Sequence, residues 1–149
     1  MPRMKPEPRI YDRCVDHEIR VRYSETDRMG IVYHANYIVW FEIGRTEFCR
    51  AAGMPYRQME ESGILILVTG VDCKYRKSAR YDDAVVIRTR MGEVGSRGLS
   101  FYYEILRGGD GERLAEGSTR HLFADAGSRP ITIPASIRTT FEAFVTAVR

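Results

Sequence analysis

Residues 24–37 read SETDRMGIVYHANY and separate two different hydrophobic patterns. Before this segment, residues 16–23 alternate in the manner of a β-strand. After it, apolar residues recur at helical spacing as far as Ala52, and Gly53 then provides a helix stop. Asp27 therefore lies in a loop just ahead of a helix N-terminus, where free backbone N–H groups can face the same point as its carboxylate. A base or nucleophile beside such donors is what acyl transfer requires.

The sequence beyond Gly53 is dominated by strand-like segments. We predict strands over residues 64–77, 84–94, 99–107 and 114–125, turns at 96–98 and 108–111, and shorter helices over 55–62 and 134–148. Consecutive strands joined by short turns pair largely antiparallel. One long helix, predicted over residues 33–52, packed on one face of a curved antiparallel sheet is an α+β architecture.

Length and composition fit one globular domain. The chain has 149 residues, of which 44% are hydrophobic and 29% charged, as in an ordinary folded protein with a single core. Residues 1–13 alternate prolines with charged residues and lack an apolar signal core, so we predict a flexible arm there and a single domain over residues 14–149. No stretch approaches the ~18 consecutive apolar residues of a membrane span.

Charge and cysteine content limit the expected binding partners and the expected cellular compartment. The net charge of +3 is mild, and 20 acidic residues are interspersed among 23 basic ones, so no nucleic-acid partner is expected. The balance still allows a local basic patch for a small polyanion. Cys14, Cys49 and Cys73 form no short-spaced pair and leave an odd thiol under any pairing, which predicts reduced thiols in a cytoplasmic protein.

The order D-x-x-G-x-V-Y-H-x-N-Y at residues 27–37 resembles the hotdog-fold acyl-CoA thioesterases. More narrowly, it is similar to the 4-hydroxybenzoyl-CoA thioesterase-like branch that includes the bacterial Tol-Pal-cluster acyl-CoA thioesterases. A second block, YRKSARYDD at residues 75–83, fits the same family. The resemblance covers roughly residues 16–134 and implies the hotdog fold, a long central helix packed on a curved antiparallel sheet.

The resemblance also assigns catalytic roles around the first motif. It gives Asp27 the place of the catalytic carboxylate, as general base for water or as nucleophile forming an acyl anhydride. It directs the backbone N–H of His34 at the thioester carbonyl, with the imidazole as a further donor or acid, and Gly30 then permits close approach of backbone and substrate. From the residues alone, Asp27 could instead cap the helix or close an Asx turn, His34 could be a surface residue and Gly30 a simple turn. Glu25 is expected to be solvated or structural.

A second set of residues is expected to bind the rest of the substrate. Tyr33 could hydrogen-bond at the site or pack, core packing is expected for Tyr37, and Ser78 is by resemblance a polar contact from the partner subunit. Coenzyme A phosphates suit a basic cluster at the second motif and, by resemblance, the hairpin after it; the candidates are Lys74, Arg76, Lys77, Arg80, Arg97 and Ser100. The alternative for these charges is the solvated face of a strand.

These observations predict hydrolysis of acyl-CoA thioesters to a carboxylic acid and CoA. No metal is expected, because His17, His34 and His121 have no Cys or His at metal-ligand spacing. No cofactor is expected either, because the sequence has no P-loop and no dinucleotide fingerprint. The resemblance implies a homo-oligomer with active sites at a dimer interface, two dimers often forming a homotetramer. Two alternatives stay open: a thioesterase for acyl groups on acyl carrier protein, and a non-catalytic acyl-CoA-binding hotdog protein, which would have no need of Asp27.

Overall fold

The computed structural model of the chain describes residues 9–147. Its strands are β1 (Ile10–Arg20), β2 (Ile64–Tyr75), β3 (Ala84–Gly92), β4 (Gly98–Arg107) and β5 (Arg113–Asp125). Its α-helices are α1 (Ala35–Ala51), α2 (Tyr56–Glu61) and α3 (Ala135–Thr146), and Tyr23–Glu25 form one 3-10 turn. The predicted order of one strand, a long helix and then a run of strands is confirmed.

The five strands form one sheet in the order β1-β3-β4-β5-β2, and every neighbouring pair is antiparallel. This order makes β1 and β2 the two edges of the sheet, and the helix α1 packs across one of its faces. A register irregularity between Val68 and Gly70 interrupts the pairing of β2 with β5. Because β2 has one extra residue there, the alternation of its side chains between the two faces of the sheet shifts by one residue across the bulge.

The first strand differs from its prediction. It begins at Ile10 rather than Asp16 and ends at Arg20, and Ile10 pairs with Gly92 on β3. Residues 10–13, predicted as part of a flexible arm, therefore belong to the sheet, whereas residues 1–8 of that arm lie outside the described residues. The prolines that suggested an arm end at Pro8, and the alternation that follows is the better guide.

The core lies between α1 and the sheet. Trp40, Phe41 and Phe48 of α1 have no exposed surface, and the ring of Phe41 stacks on that of Tyr103 with centroids 4.4 Å apart. Gly44 allows the close approach, since a Cβ there would lie 2.7 Å from a methyl of Ile87. The predicted buried helix is confirmed, although α1 begins two residues later than the predicted start at Tyr33.

The C-terminal helix α3 closes one end of this core. Ile137, Phe141 and Val145 are buried, and the ring of Phe144 meets that of Phe48 edge-on at 5.3 Å. Among residues 9–147, no helix is both long enough and apolar enough to cross a membrane.

Candidate active site

The loop between β1 and α1 is closed on itself by backbone hydrogen bonds. The Asp27 N–H donates to the carbonyl oxygen of Ile31 at 2.9 Å, and the Gly30 N–H donates to that of Asp27 at 3.0 Å. Gly30 has a φ of +77°, a conformation that residues with a Cβ rarely adopt. Gly30 thus forms a turn, as its structural alternative predicted, and this turn fixes the position of Asp27.

The carboxylate of Asp27 takes part in the same turn. Its Oδ1 accepts a hydrogen bond from the Met29 N–H at 2.8 Å, which is an Asx turn. Within residues 9–147, no donor bonds its Oδ2. Asp27 therefore closes an Asx turn, which was the structural alternative for this residue, and the turn uses only one of its two carboxylate oxygens.

Contacts from the second motif hold the start of α1 in place. The Val32 N–H donates to the Ala79 carbonyl at 2.9 Å, and the Ala79 N–H donates to Tyr37 Oη at 3.1 Å. Tyr75 Oη donates to the carbonyl oxygen of His34 at 2.9 Å. Tyr37 is 2% exposed, which confirms the predicted packing role, and burial raises its pKa. The two sequence motifs therefore form one connected structure.

Glu25 is structural rather than solvated. It is buried, its Oε2 accepts the indole N–H of Trp40 at 2.8 Å, and its Oε1 accepts the Arg22 N–H at 2.8 Å. Its own carbonyl oxygen accepts the Asn36 side-chain amide at 2.9 Å and the Tyr33 N–H at 2.9 Å. Glu25 ties the loop to the first turns of α1, and no sequence motif indicates this network because it depends on how the loop folds back on the helix.

His34 is the exposed residue that precedes the first turn of α1. The first backbone hydrogen bonds of this turn are donated by Asn36 to the Tyr33 carbonyl and by Tyr37 to that of His34. Within the described residues, no acceptor is bonded to the backbone N–H of His34 or Ala35. These donors carry the positive end of the helix dipole and are free to meet an incoming oxygen.

A cavity of about 190 Å³ opens beside this helix start. Four of the predicted site residues share its wall, together with Ile31, Val32, Tyr37 and Tyr75; they are His34, Arg76, Lys77 and Ser78. Asp27, Gly30 and Tyr33 lie on the adjoining loop and not in the wall of this cavity. Tyr75 was not singled out from the sequence, although it opens the second motif and both lines the cavity and holds His34.

The predicted basic cluster divides into two groups. Arg76 forms an ion pair with Glu116, and Lys77 forms one with Glu112. Hydrogen bonds from these cations lower the pKa of both carboxyls. Within residues 9–147, ion pairs do not involve Lys74, Arg80 or Arg97.

Arg97 and Ser100 lie towards the opposite end of the sheet from the cavity. Tyr75 on β2 pairs with Ala115, which pairs with Ile105 on β4. Ser100 is five residues along β4 from Ile105, about 17 Å at the usual rise of a strand. A single chain therefore does not bring these two residues to the cavity that contains Ser78.

Comparison with known proteins identifies the family. Residues 21–141 match the thioesterase-like superfamily. The chain belongs to this superfamily. The arrangement of α1 on an antiparallel five-stranded sheet is the hotdog fold, so the fold and the α+β class expected from the resemblance are confirmed.

Three relatives show the range of the similarity. The chain is 38% identical, over 76% of its length and 83% of the relative's, to YneP of Bacillus subtilis, whose name gives acyl-CoA thioesterase as a provisional activity. It is 28% identical to the acyl-CoA thioesterase YbgC of Haemophilus influenzae, over 89% of this chain and 97% of the other. The crystal structure of DHNA-CoA thioesterase from Staphylococcus aureus superposes with a TM-score of 0.82 at 32% identity, covering 88% of each chain.

Proposed function

We propose that this chain is an acyl-CoA thioesterase, which hydrolyses acyl-CoA to a free carboxylic acid and CoA. The observation that carries the proposal is the start of α1, where backbone N–H groups without acceptors open onto a cavity beside the Asp27 loop. Family membership and relatives named for acyl-CoA thioesterase activity support the same reaction.

In the proposed reaction, Asp27 acts through Oδ2, the oxygen that the Asx turn leaves free. As general base, it removes a proton from water while the water oxygen attacks the carbon. As nucleophile, it attacks directly and forms an anhydride that water then opens. In either route the carbonyl oxygen becomes negative and the N–H of His34 donates to it. The carbonyl then re-forms as the C–S bond breaks, and the CoA thiolate takes up the proton that Asp27 removed from water or, in the anhydride route, a proton from solvent.

The test is thiol release from a series of acyl-CoAs of different length, with benzoyl-type thioesters included, measured with a colorimetric thiol reagent. Turnover with at least one acyl-CoA is expected. Turnover only with acyl groups on acyl carrier protein would move the activity to that carrier. Tight binding of acyl-CoA without any thiol release would instead make the chain a binding protein.

We propose that the protein forms a homodimer through the edge strand β2. Val68 and Val71 pair with His121 and Thr119, which are buried on the helix side of β5, so both valines face that side as well. They are 48% and 41% exposed, and Val39 on α1 is 44% exposed. Apolar side chains beside an unpaired strand edge favour pairing with a second copy.

A two-fold axis at the middle of β2 would bring the separated candidate residues together. Antiparallel pairing of two copies of β2 places the Ile64 end of one strand beside the Tyr75 end of the other. Leu67 pairs with Leu122, which pairs with Gly98, so the Arg97 turn lies at the Ile64 end. Arg97 of one subunit then approaches the partner subunit's Ser78, and the proposed CoA site contains residues from both subunits.

The remaining assignments complete the proposal. Lys74, Arg76, Lys77, Arg80, Arg97 and Ser100 are proposed to contact the nucleotide part of CoA, and Gly30, Tyr33 and Ser78 the region of the thioester. The reaction is assigned no metal and no cofactor. Two dimers are proposed to pair into a homotetramer, and sedimentation measures this assembly. The three free cysteines suit a cytoplasmic location.

A further inference from the structure

A second cavity, about 410 Å³ in volume, lies between α1, α2 and the first half of β2. Its wall includes Glu42, Arg45, Tyr56, Glu60 and Leu65. Arg45 lies eleven residues after His34, which places the two on the same face of α1 and about 16 Å apart along the helix. The helix α1 therefore connects the candidate thioester site with this second cavity.

Arg45 is a charged group without a counter-ion. Among residues 9–147, carboxylates that lie within 4.0 Å of a basic nitrogen pair with other cations and not with Arg45. Both glutamates in the cavity wall are exposed, and neither reaches the Arg45 guanidinium within that distance. A partly buried guanidinium keeps its charge and its five N–H donors, so it favours an anionic partner, which the carboxylates of the described residues do not supply.

Hydroxyl groups that stay uncharged lie beside the Arg45 guanidinium. The guanidinium lies beside Tyr56 and Tyr103. Tyr103 Oη shares a hydrogen bond with Thr119 Oγ1 at 2.6 Å, and that hydroxyl is 2.7 Å from His121 Nε2. Burial raises the pKa of Tyr103 to about 12 and lowers that of His121 to about 4, so Arg45 carries the charge of this cluster at neutral pH.

The hydroxyl of Tyr56 gives a second, independent sign of a missing acceptor. Tyr56 lines the cavity, and its Oη is buried with no hydrogen-bond partner among the described residues. Buried polar atoms in native proteins are nearly always paired. The Arg45 guanidinium, without a carboxylate partner, and the Tyr56 hydroxyl, without a hydrogen-bond partner, therefore line one cavity.

We propose that this cavity receives the far end of the acyl group and that Arg45 with Tyr56 selects acyl-CoAs ending in a second carboxylate. The proposal rests on the proposed thioesterase function and on the β2 dimer. In that dimer, the Ile64 end of β2, which carries residues 65–67, lies beside the strand end that carries the partner subunit's Tyr75, a residue that lines the partner's thioester cavity. An acyl chain attached there extends into the Arg45 cavity of the opposite subunit.

A carboxylate suits these donors better than an uncharged group. Its two oxygens can accept the parallel N–H groups of a guanidinium, and a third bond from Tyr56 Oη is compatible with its lone pairs. After water is displaced, an alkyl end would leave the Arg45 charge without an anionic partner, and sites built to bind a polar group of the substrate reject analogues that lack the group. Arg45 is thus a specificity-determining residue for the acyl group.

The test compares kcat/KM for two sets of substrates. One set is CoA monothioesters of dicarboxylic acids with four to ten carbons, and the other is monocarboxylic thioesters of the same lengths. Wild type, Arg45→Met and Arg45→Lys are measured, with Arg57→Met as the matched control, because Arg57 is exposed on α2 and paired with Glu61. Wild type is expected to prefer a dicarboxylic substrate of one length, and Arg45→Met to lower that preference by roughly 30-fold or more. Arg45→Lys should retain part of the preference, and Arg57→Met all of it.

The outcomes distinguish a failure of the Arg45 proposal from a failure of the proposed thioesterase function. No thiol release from any CoA thioester contradicts the thioesterase itself. Thiol release with equal or better use of monocarboxylic substrates by wild type overturns the role of Arg45 alone, and this result does not depend on whether a variant folds. Dissociation of Arg45→Met in sedimentation with an unchanged substrate preference would make Arg45 an interface residue and also overturn the proposal.

Discussion

The cationic side chains in the two cavities along α1 differ in burial and in ion pairing. At the start of the helix, Arg76 and Lys77 are exposed and each is already paired with a glutamate. In the second cavity, Arg45 is partly buried and no carboxylate of the described residues pairs with it. Paired, exposed cations contribute little specificity, since solvent and salt screen them. An unpaired, partly buried cation strongly favours one kind of ligand, so the acyl end of the substrate is where we expect selectivity.

The largest expected effect concerns the first cavity. Asp27→Asn keeps a side-chain oxygen for the Met29 N–H, so the loop should hold its shape while the base or nucleophile is lost. The rate of thiol release should fall by about 10²–10⁴-fold, as is common when a general base is removed.

The measurement is kcat for the best substrate, with circular dichroism to establish that the variant is folded. Asp12→Asn, at an exposed position of β1, is the control. Turnover close to wild type in folded Asp27→Asn would remove Asp27 from the mechanism and leave it as a turn residue.

The next prediction asks whether the two cavities meet across a dimer. Val71→Asp places a charge on the edge of β2 and should convert dimers to monomers. Because each proposed site uses both subunits, activity should fall by roughly 10-fold to 100-fold. Sedimentation at micromolar concentration measures the first effect and thiol release the second.

The opposite edge of the sheet supplies the control. Ile10 on β1 is 43% exposed, comparable to Val71 at 41%, so Ile10→Asp introduces the same charge on the other edge. It should leave assembly unchanged. A fully active monomeric Val71→Asp protein would show that each cavity works within one chain.

The sequence predicted the fold well and the second cavity not at all. Periodicity and glycine signals gave all five strands and the long helix to within a few residues, except at β1, where the prolines of the first residues suggested too long an arm. Asp27 and His34 stood out because a local motif contains both. Arg45 did not, since its significance lies in being beside Tyr56 and Tyr103 and in forming no ion pair with a carboxylate of the described residues. Such a property belongs to residues distant in sequence, and no local pattern contains it.

His121 tests the buried network behind Arg45. Its folded-state pKa of about 4 lies below the ordinary value of 6.5 because burial disfavours the charged ring. The unfolded chain therefore binds a proton more readily, and stability from the neutral ring is present above pH 6.5 and lost as the pH falls towards 4. Between pH 7 and pH 5 this histidine should lower the free energy of unfolding by about 2 kcal/mol.

Urea unfolding of wild type and His121→Gln at both pH values measures this contribution. The two proteins should differ in how strongly their stability depends on pH, with the flatter dependence in the variant. His17→Gln on β1 is the control for replacing a histidine. Equal pH dependence in wild type and His121→Gln would mean that the ring is not held neutral by the fold.

The smallest expected effect sharpens the division within the basic cluster. Arg80 forms no ion pair with a carboxylate of the described residues, whereas Arg76 is paired with Glu116. If Arg80 contacts a CoA phosphate, Arg80→Gln should raise KM for acyl-CoA about fivefold and leave kcat nearly unchanged, since this binding is the same in ground and transition states. Arg76→Gln should have the weaker effect, because its charge is already balanced. Both effects should grow at low salt and vanish with a truncated thioester that lacks the nucleotide.

Steady-state kinetics at two salt concentrations measure KM and kcat for both variants. A larger KM change for Arg76→Gln would show that CoA displaces Glu116. No change for either variant would place the nucleotide away from this end of the sheet.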